Sequence, residues 1–388
     1  MKLSTDRILN THVGSLPRPD DLFELMLARM DGKPVDEKVY AERVKAAVHE
    51  SVRQQVAAGF DVVNDGEMGK PSFITYAAAR LAGLEKREGN RPSPFANTRE
   101  TRDFPDYYQS AVAEQVSARR RRALMVCAGP IAYKGQDALK TELDNLRAAM
   151  AGSGAAEAFV PAIAPSNIET TTPNEHYKSP EEYVFAIADA MREEYRAIVD
   201  AGFLLQIDDP FLVTYYIMRP ELSIAECRKW AEVRVEALNT ALKGIPADRV
   251  RFHTCYSINM GPRVHDMQLK DIADIILKVN AGAFSFEAAN PRHEHEWEDW
   301  RAAKIADDKV LIPGVITQST VLVEHPELVA QRLVRFAGVV GRERVIAGAD
   351  CGFASFAGSN EVHPSIVWAK FKALVDGSRI ASKKLWGR

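Results

Sequence analysis

The sequence predicts a (β/α)8 barrel, a TIM barrel of the α/β class, formed by a single domain over residues 1–388. Two observations carry this. Short apolar runs of strand length alternate with segments of helical period, the pattern of a parallel α/β fold. Chemically capable side chains also recur at the trailing ends of those runs, where such a barrel keeps its site.

Strand-like runs fall at 8–13, 61–66, 124–131, 158–164, 203–208, 250–256, 282–287, 309–316 and 345–350, one more than a barrel of eight requires. The run 124–131 is set aside because it lies in the long segment between Gly69 and Glu157. A connection of that length, about 70–157, is an excursion with its own hairpin between strands two and three. It holds the Pro/Asn/Arg-rich stretch 87–106 and the run Arg119–Arg122, which reads as a solvated helix face.

The helices are marked by their ends. Ser179-Pro180-Glu181-Glu182 reads as a capping box with proline at the first turn. Val184, Ile187, Met191, Tyr195 and Ile198 then make one apolar face, and Gly202 closes the helix. Ser223 and Glu226 repeat the device for a helix running toward Gly244. Pro326 opens another, with Val329, Leu333, Phe336 and Val340 inward and Gly341 at its end.

At 46% hydrophobic, 27% charged and a formal charge of -3, the composition is that of a soluble globular chain. Nothing in it favours nucleic acid or a membrane as partner. No apolar run has the length of a signal core or a membrane span. The few cysteines suit a reducing compartment, so a cytoplasmic location is expected.

Four residues carry the chemistry: the pair His253 and Cys255, then Glu287, then Cys351. In a strand, residues i and i+2 share a face, so His253 and Cys255 can grip one ion together. Imidazole, thiolate and carboxylate form the donor set of a borderline-soft ion such as zinc. The competing reading is packing, since free cysteine is a common small buried hydrophobe. Cys127 and Cys227 lack such neighbours and read as packing. Gly14 and Ser15 after strand one, Glu67 after strand two and Asp208 after strand four converge on the same barrel mouth.

With those residues in place, the chain resembles the catalytic barrel of cobalamin-independent methionine synthase. The likeness is carried by Thr11–Pro17, Asp65-Gly66-Glu67, Gln206–Pro210, His253–Tyr256, Phe286-Glu287, Pro313-Gly314-Val315 and Asp350-Cys351-Gly352, in the family's order. It extends only to the carboxyl-terminal half of the long synthases. The resemblance implies zinc held by His253, Cys255, Glu287 and Cys351, with a small-molecule thiol joining the metal as a thiolate and receiving a methyl or alkyl group. It also implies that Glu67, Asp208 and the backbone of Val13, Gly14 and Ser15 hold the amino acid head of homocysteine.

The likeness breaks on the donor side. Thr317 and Ser319 stand where the family has an Asp and an acidic His, and serine cannot supply a proton near neutral pH. The stretch Ala164–Thr171 lacks the family's folate-stacking tryptophan; Asp209 replaces a Glu, and about Thr214 an acidic residue. The expectation is a zinc-dependent S-methyltransferase making methionine from homocysteine, with a donor other than polyglutamated methylfolate. Some short members of the family are thought to draw methyl from a corrinoid protein, so the resemblance offers a corrinoid methyl-donor protein as a partner for this chain. Another, epoxyalkane:coenzyme M transferase, opens an epoxide, and the segment Ala289–Trp297 is closer to these short members. A non-catalytic zinc-binding paralogue is the third reading. Arg18 and Arg292 could meet a substrate anion or lie at the surface. His293 and His295 read as residues of a solvated charged loop.

Overall fold

In the computed structural model, which describes residues 1–90, 95–110, 123–258, 261–358 and 362–387, eight parallel strands form one sheet. These are β1 (Leu9–Asn10), β2 (Val62–Val63), β5 (Glu157–Ile163), β6 (Leu204–Asp208), β7 (Val250–Thr254), β8 (Ala283–Phe286), β9 (Val310–Ile316) and β10 (Ile346–Ala349). They run in chain order, and β1 pairs with β10. The β1–β2 seam is sewn by side chains and loop backbone rather than a ladder. Asp61 N donates to Asn10 O at 3.0 Å, and Thr11 Oγ1 donates to Val62 O at 3.0 Å. The sheet is therefore a nearly closed (β/α)8 barrel, as the alternation of runs predicts.

The run 124–131 belongs to the excursion. Strands β3 (Leu81–Asn90) and β4 (Ala123–Tyr133) form a separate antiparallel pair. The arginine run at 119–122 lies outside the described residues. A buried charge network ties the excursion to the barrel. Arg80 bonds Glu194 at 3.0 Å and Glu142 at 2.5 Å, and Lys70 meets Glu142 at 2.9 Å. Glu194 also accepts from Tyr76 and Tyr133 hydroxyls at 2.9 and 2.7 Å. Every buried charge in this network has a partner, which is the condition for burying it.

The helix Pro180–Asp200 buries Val184, Ile187, Met191, Tyr195 and Ile198, and the helix Pro326–Val340 buries Val329, Leu333, Phe336 and Val340. Ser223 and Glu226 form a full capping box. At Ser179 the box is half made, because Glu182 turns its carboxylate to Lys178 N instead. No helix among the described residues is long and apolar enough to cross a membrane.

Candidate metal centre and its cavity

Register sets the floor of the site. Asp208 on β6 and His253 on β7 are Cα partners, so both side chains leave the same face at one height. His253 Nδ1 lies 3.1 Å from Asp208 Oδ1, and Nε2 lies 3.3 Å from Asp350 O. Donation from Nδ1 to the carboxylate leaves Nε2 as the ligating nitrogen, the usual orientation of a metal-binding histidine. On the far side, the β10–β9 pairing shifts register between Gly348 and Ala349, just before Asp350 and Cys351. An irregularity there re-aims the next side chains. A Cβ on Gly314 would sit 2.1 Å from Asp350 Oδ1, so only glycine lets β9 pass this corner.

His253, Cys255 and Cys351 place their ligand atoms within 4.8 Å of one another, with the two sulfurs 3.4 Å apart. A zinc tetrahedron with ~2.3 Å zinc–sulfur bonds has edges of about 3.8 Å. These distances bracket that value. Glu287 is not in the group of three. Its Oε1 accepts from Tyr256 N at 3.0 Å and Ile258 N at 3.5 Å, and its Oε2 from Asn290 Nδ2 at 2.8 Å. It nonetheless lies close enough for its charge to raise the proton affinity of Cys255.

The electrostatics favour a cation. Hydrogen bonding to Cys351, then burial, pushes the Cys255 thiol well up, while the same bond pulls Cys351 down. Burial, with Asp350 and Cys351 nearby, drives Glu287 well above the usual carboxylate range. Asp350 is raised by burial against bonds from Ala288 N, Ala289 N and Asn290. Burial lowers the basicity of His253, but the bond to Asp208 and its charge outweigh that and raise it overall. Cys255, Glu287 and Asp350, buried together and all raised in proton affinity beside Cys351, are a donor set that a dication relieves by displacing protons.

His253, Cys255 and Cys351 open into a cavity whose inner wall includes Val13, Ser15, Glu67 and Asp208. Gly14 has φ +145°, and a Cβ there would meet Pro161 Cγ at 2.9 Å and Glu67 Oε1 at 3.0 Å, so glycine keeps this wall open. Glu67 is 2% exposed with φ +57°, its Oε2 has no hydrogen-bond partner among the described residues, and burial lifts its pKa to about 7. Backbone strain of this kind persists where the surroundings hold a functional side chain in place.

Several residues fall elsewhere than sequence suggests. Arg18 is neither at the surface nor facing the cavity: it is buried and donates to the carbonyls of Leu16, Glu67, Lys70 and Ala354. Its hydrocarbon stem is covered and its fork is spent on four loop carbonyls. Arg292 bonds Asp266 and Val264 O. His293 is not solvated: it is 1% exposed and stacks on Tyr256 with ring centroids 3.7 Å apart. Burial lowers its pKa to about 4, so the ring packs as a neutral aromatic; His295 is exposed. Ser319 Oγ pairs with Thr317 Oγ1 at 2.9 Å, and the residue between them, Gln318, reaches the cavity instead. Ser166 and Asn167 from the stretch Ala164–Thr171 bond Asp209.

The outer wall is the part sequence reasoning missed. Phe95, Thr98, Glu100 and Tyr108 come from the excursion, and Arg263 from the loop after β7. No local pattern marks them.

Fold and site together define a (β/α)8 barrel with a candidate imidazole–dithiol metal centre at the carboxyl ends of its strands. Residues 162–369 match the family model for the catalytic domain of cobalamin-independent synthase, and the chain belongs to that family. A methionine synthase of Thermococcus kodakarensis is 27% identical over 376 residues, covering 96% of this chain and 93% of that one. One of Saccharolobus islandicus is 26% identical over 381 residues, covering 97% and 95%. The B12-independent methionine synthase of Shewanella sp. W3-18-1, solved with selenomethionine, superposes with TM-score 0.72 at 19% identity, covering 98% of this chain and 100% of that one.

Proposed function

We propose that this chain is a single-domain, zinc-dependent S-methyltransferase that methylates the thiol of homocysteine to give methionine. The observation that carries the reading is the approach of His253, Cys255 and Cys351 within 4.8 Å on a cavity that also exposes Glu67 and Asp208. Membership of the methionine synthase family and the names of the relatives support it.

His253, Cys255 and Cys351 would hold the zinc, with Glu287 as the fourth donor once its bond to Asn290 yields. Bound zinc would supply the Lewis acidity that keeps a thiol of pKa ~8.5 ionised at neutral pH. The remaining work falls to the chain. Glu67 and Asp208 pair with the substrate ammonium, and the backbone at Val13, Gly14 and Ser15 faces its carboxylate. Asp208 also holds the His253 ring in its tautomer. Phe353 and Phe356 keep water off the sulfur side of the cavity.

The test is X-ray absorption on the metal-loaded protein. Homocysteine should add one sulfur to the metal shell, while coenzyme M, whose sulfonate meets two carboxylates, should not. Coordination by coenzyme M alone would replace this acceptor, and no change with either thiol would make the chain a non-catalytic metal binder.

A further inference from the structure

The outer cavity combines three features that the homocysteine reading leaves unused. Glu100 is 1% exposed; its Oε1 accepts from Val264 N at 3.3 Å and His265 N at 3.0 Å, and its Oε2 has no hydrogen-bond partner among the described residues. Around it the cavity is aromatic, with Phe95, Tyr108 and Phe211 on one side and Phe73 and Phe356 on another. Among the described residues Arg263 is the one Lys or Arg lining it. Arg263 donates to Ser257 O at 3.1 Å and stands 3.7 Å from Asp266, and its charge also reaches Tyr108.

A buried carboxylate oxygen without a donor needs a positive charge nearby, and π faces attract cations that carry no N–H. An onium donor also asks for no acid on the cavity, because its leaving group departs neutral and needs no proton. Resting on the homocysteine reading, we infer that the methyl donor is an onium cation, a methylsulfonium or a quaternary methylammonium, seated between Glu100 and the aromatic wall. The acceptor's thiol proton is lost to solvent beforehand. Its sulfur then attacks the methyl carbon, a new sulfur–carbon bond forms, and the bond to the onium atom breaks. The bonding pair stays on that atom, which leaves as a neutral thioether or tertiary amine. No proton is required.

The metal-loaded full chain with homocysteine is offered trimethylsulfonium, S-methylmethionine, tetramethylammonium, methylcobalamin and 5-methyltetrahydrofolate. Transfer from at least one onium is expected, with Glu100→Gln lowering its kcat/KM at least ten-fold. That substitution keeps an oxygen for Val264 and His265, and Tyr108→Ala, at a side chain 36% exposed, repeats the test without touching the core. Calorimetry gives a readout free of turnover. Choline should bind at least ten-fold tighter than its neutral isostere 3,3-dimethylbutanol, and Glu100→Gln should abolish that preference. Transfer from no onium, or equal binding of the two isosteres, overturns the inference. Either result leaves the acceptor reading standing if homocysteine still adds sulfur to the metal shell; failure of that signal overturns the acceptor reading.

Discussion

Replacing Glu67 with Gln should stabilise the protein while it damages binding, and both effects follow from one buried oxygen. Glu67 is 2% exposed, and burial lifts its pKa from 4.5 to about 7; Asp208 and Asp65 add to the lift, and Lys70 and Arg18 oppose it. The folded state therefore holds this proton more tightly than the unfolded chain does. Stability is undiminished below about pH 4.5 and falls as pH rises toward 7 and beyond. At ~1.4 kcal/mol per pKa unit, the shift amounts to roughly 3 kcal/mol above pH 8 as a ceiling. Gln has the same shape and no such cost. With ~2.1 cal/mol/K of unfolding entropy per residue, a chain of 388 residues should gain about 4 °C in Tm. The assay is calorimetric melting of metal-free Glu67→Gln and parent protein at pH 5 and pH 8, metal-free because a nearby dication would itself ionise the carboxyl. The gain should be large at pH 8 and shrink toward pH 5. Homocysteine should bind the loaded variant ~10- to 100-fold more weakly, the loss of one charge-assisted hydrogen bond. An equal Tm difference at both pH values, or unchanged homocysteine affinity, would refute the reasoning.

Cys255→Ser and Cys351→Ser should each lose metal while keeping the far-ultraviolet dichroism of the parent; a variant with full zinc content is not missing a ligand. Glu287→Gln keeps an acceptor for Tyr256 N and Ile258 N and should weaken zinc binding less than either cysteine change, with unchanged affinity by chelator competition removing Glu287 from the donor set. Arg80→Ala leaves Glu194 in the interior with two tyrosine hydroxyls and no paired cation, and Glu142 with Lys70 alone; it should cost about 3–5 kcal/mol in urea unfolding, with the excursion cleaved faster by protease, and a loss under ~1 kcal/mol would mean the network does not anchor it.

The barrel was legible because its signal is local. Apolar runs, Ser and Pro at helix starts and Gly at helix ends can all be read within a dozen residues. The approach of His253, Cys255 and Cys351 was legible for a similar reason: an i, i+2 pair at one strand end and a cysteine at another need only the barrel rule to bring them together. What escaped was set by docking. Glu100 and Tyr108 reach the cavity because the excursion folds back over the barrel, with Glu100 bonding the backbone of Val264 and His265, more than a hundred and sixty residues away. His293 misled because its charged neighbours describe the loop's outer face, whereas its own ring stacks inward on Tyr256. Arg18 misled because a cation spent wholly on backbone carbonyls leaves no charge pattern in sequence.

This division has a mechanistic consequence. The inner half of the cavity is held by strand register: Asp208 opposite His253 and the irregularity before Cys351 fix these candidate ligands whatever the loops do. The outer half hangs on an excursion and loops whose lengths can change without disturbing a strand. Acceptor chemistry and donor chemistry can therefore be altered independently, which matches a sequence that keeps the family's residues below and departs from them above. Asp208 is the exception, since it lines the cavity and also orients His253. Asp208→Asn would keep a side chain of the same size but weaken the hold on the His253 tautomer, so metal affinity and homocysteine affinity should fall together. Loss at Glu67, which touches no candidate ligand, should move substrate affinity alone.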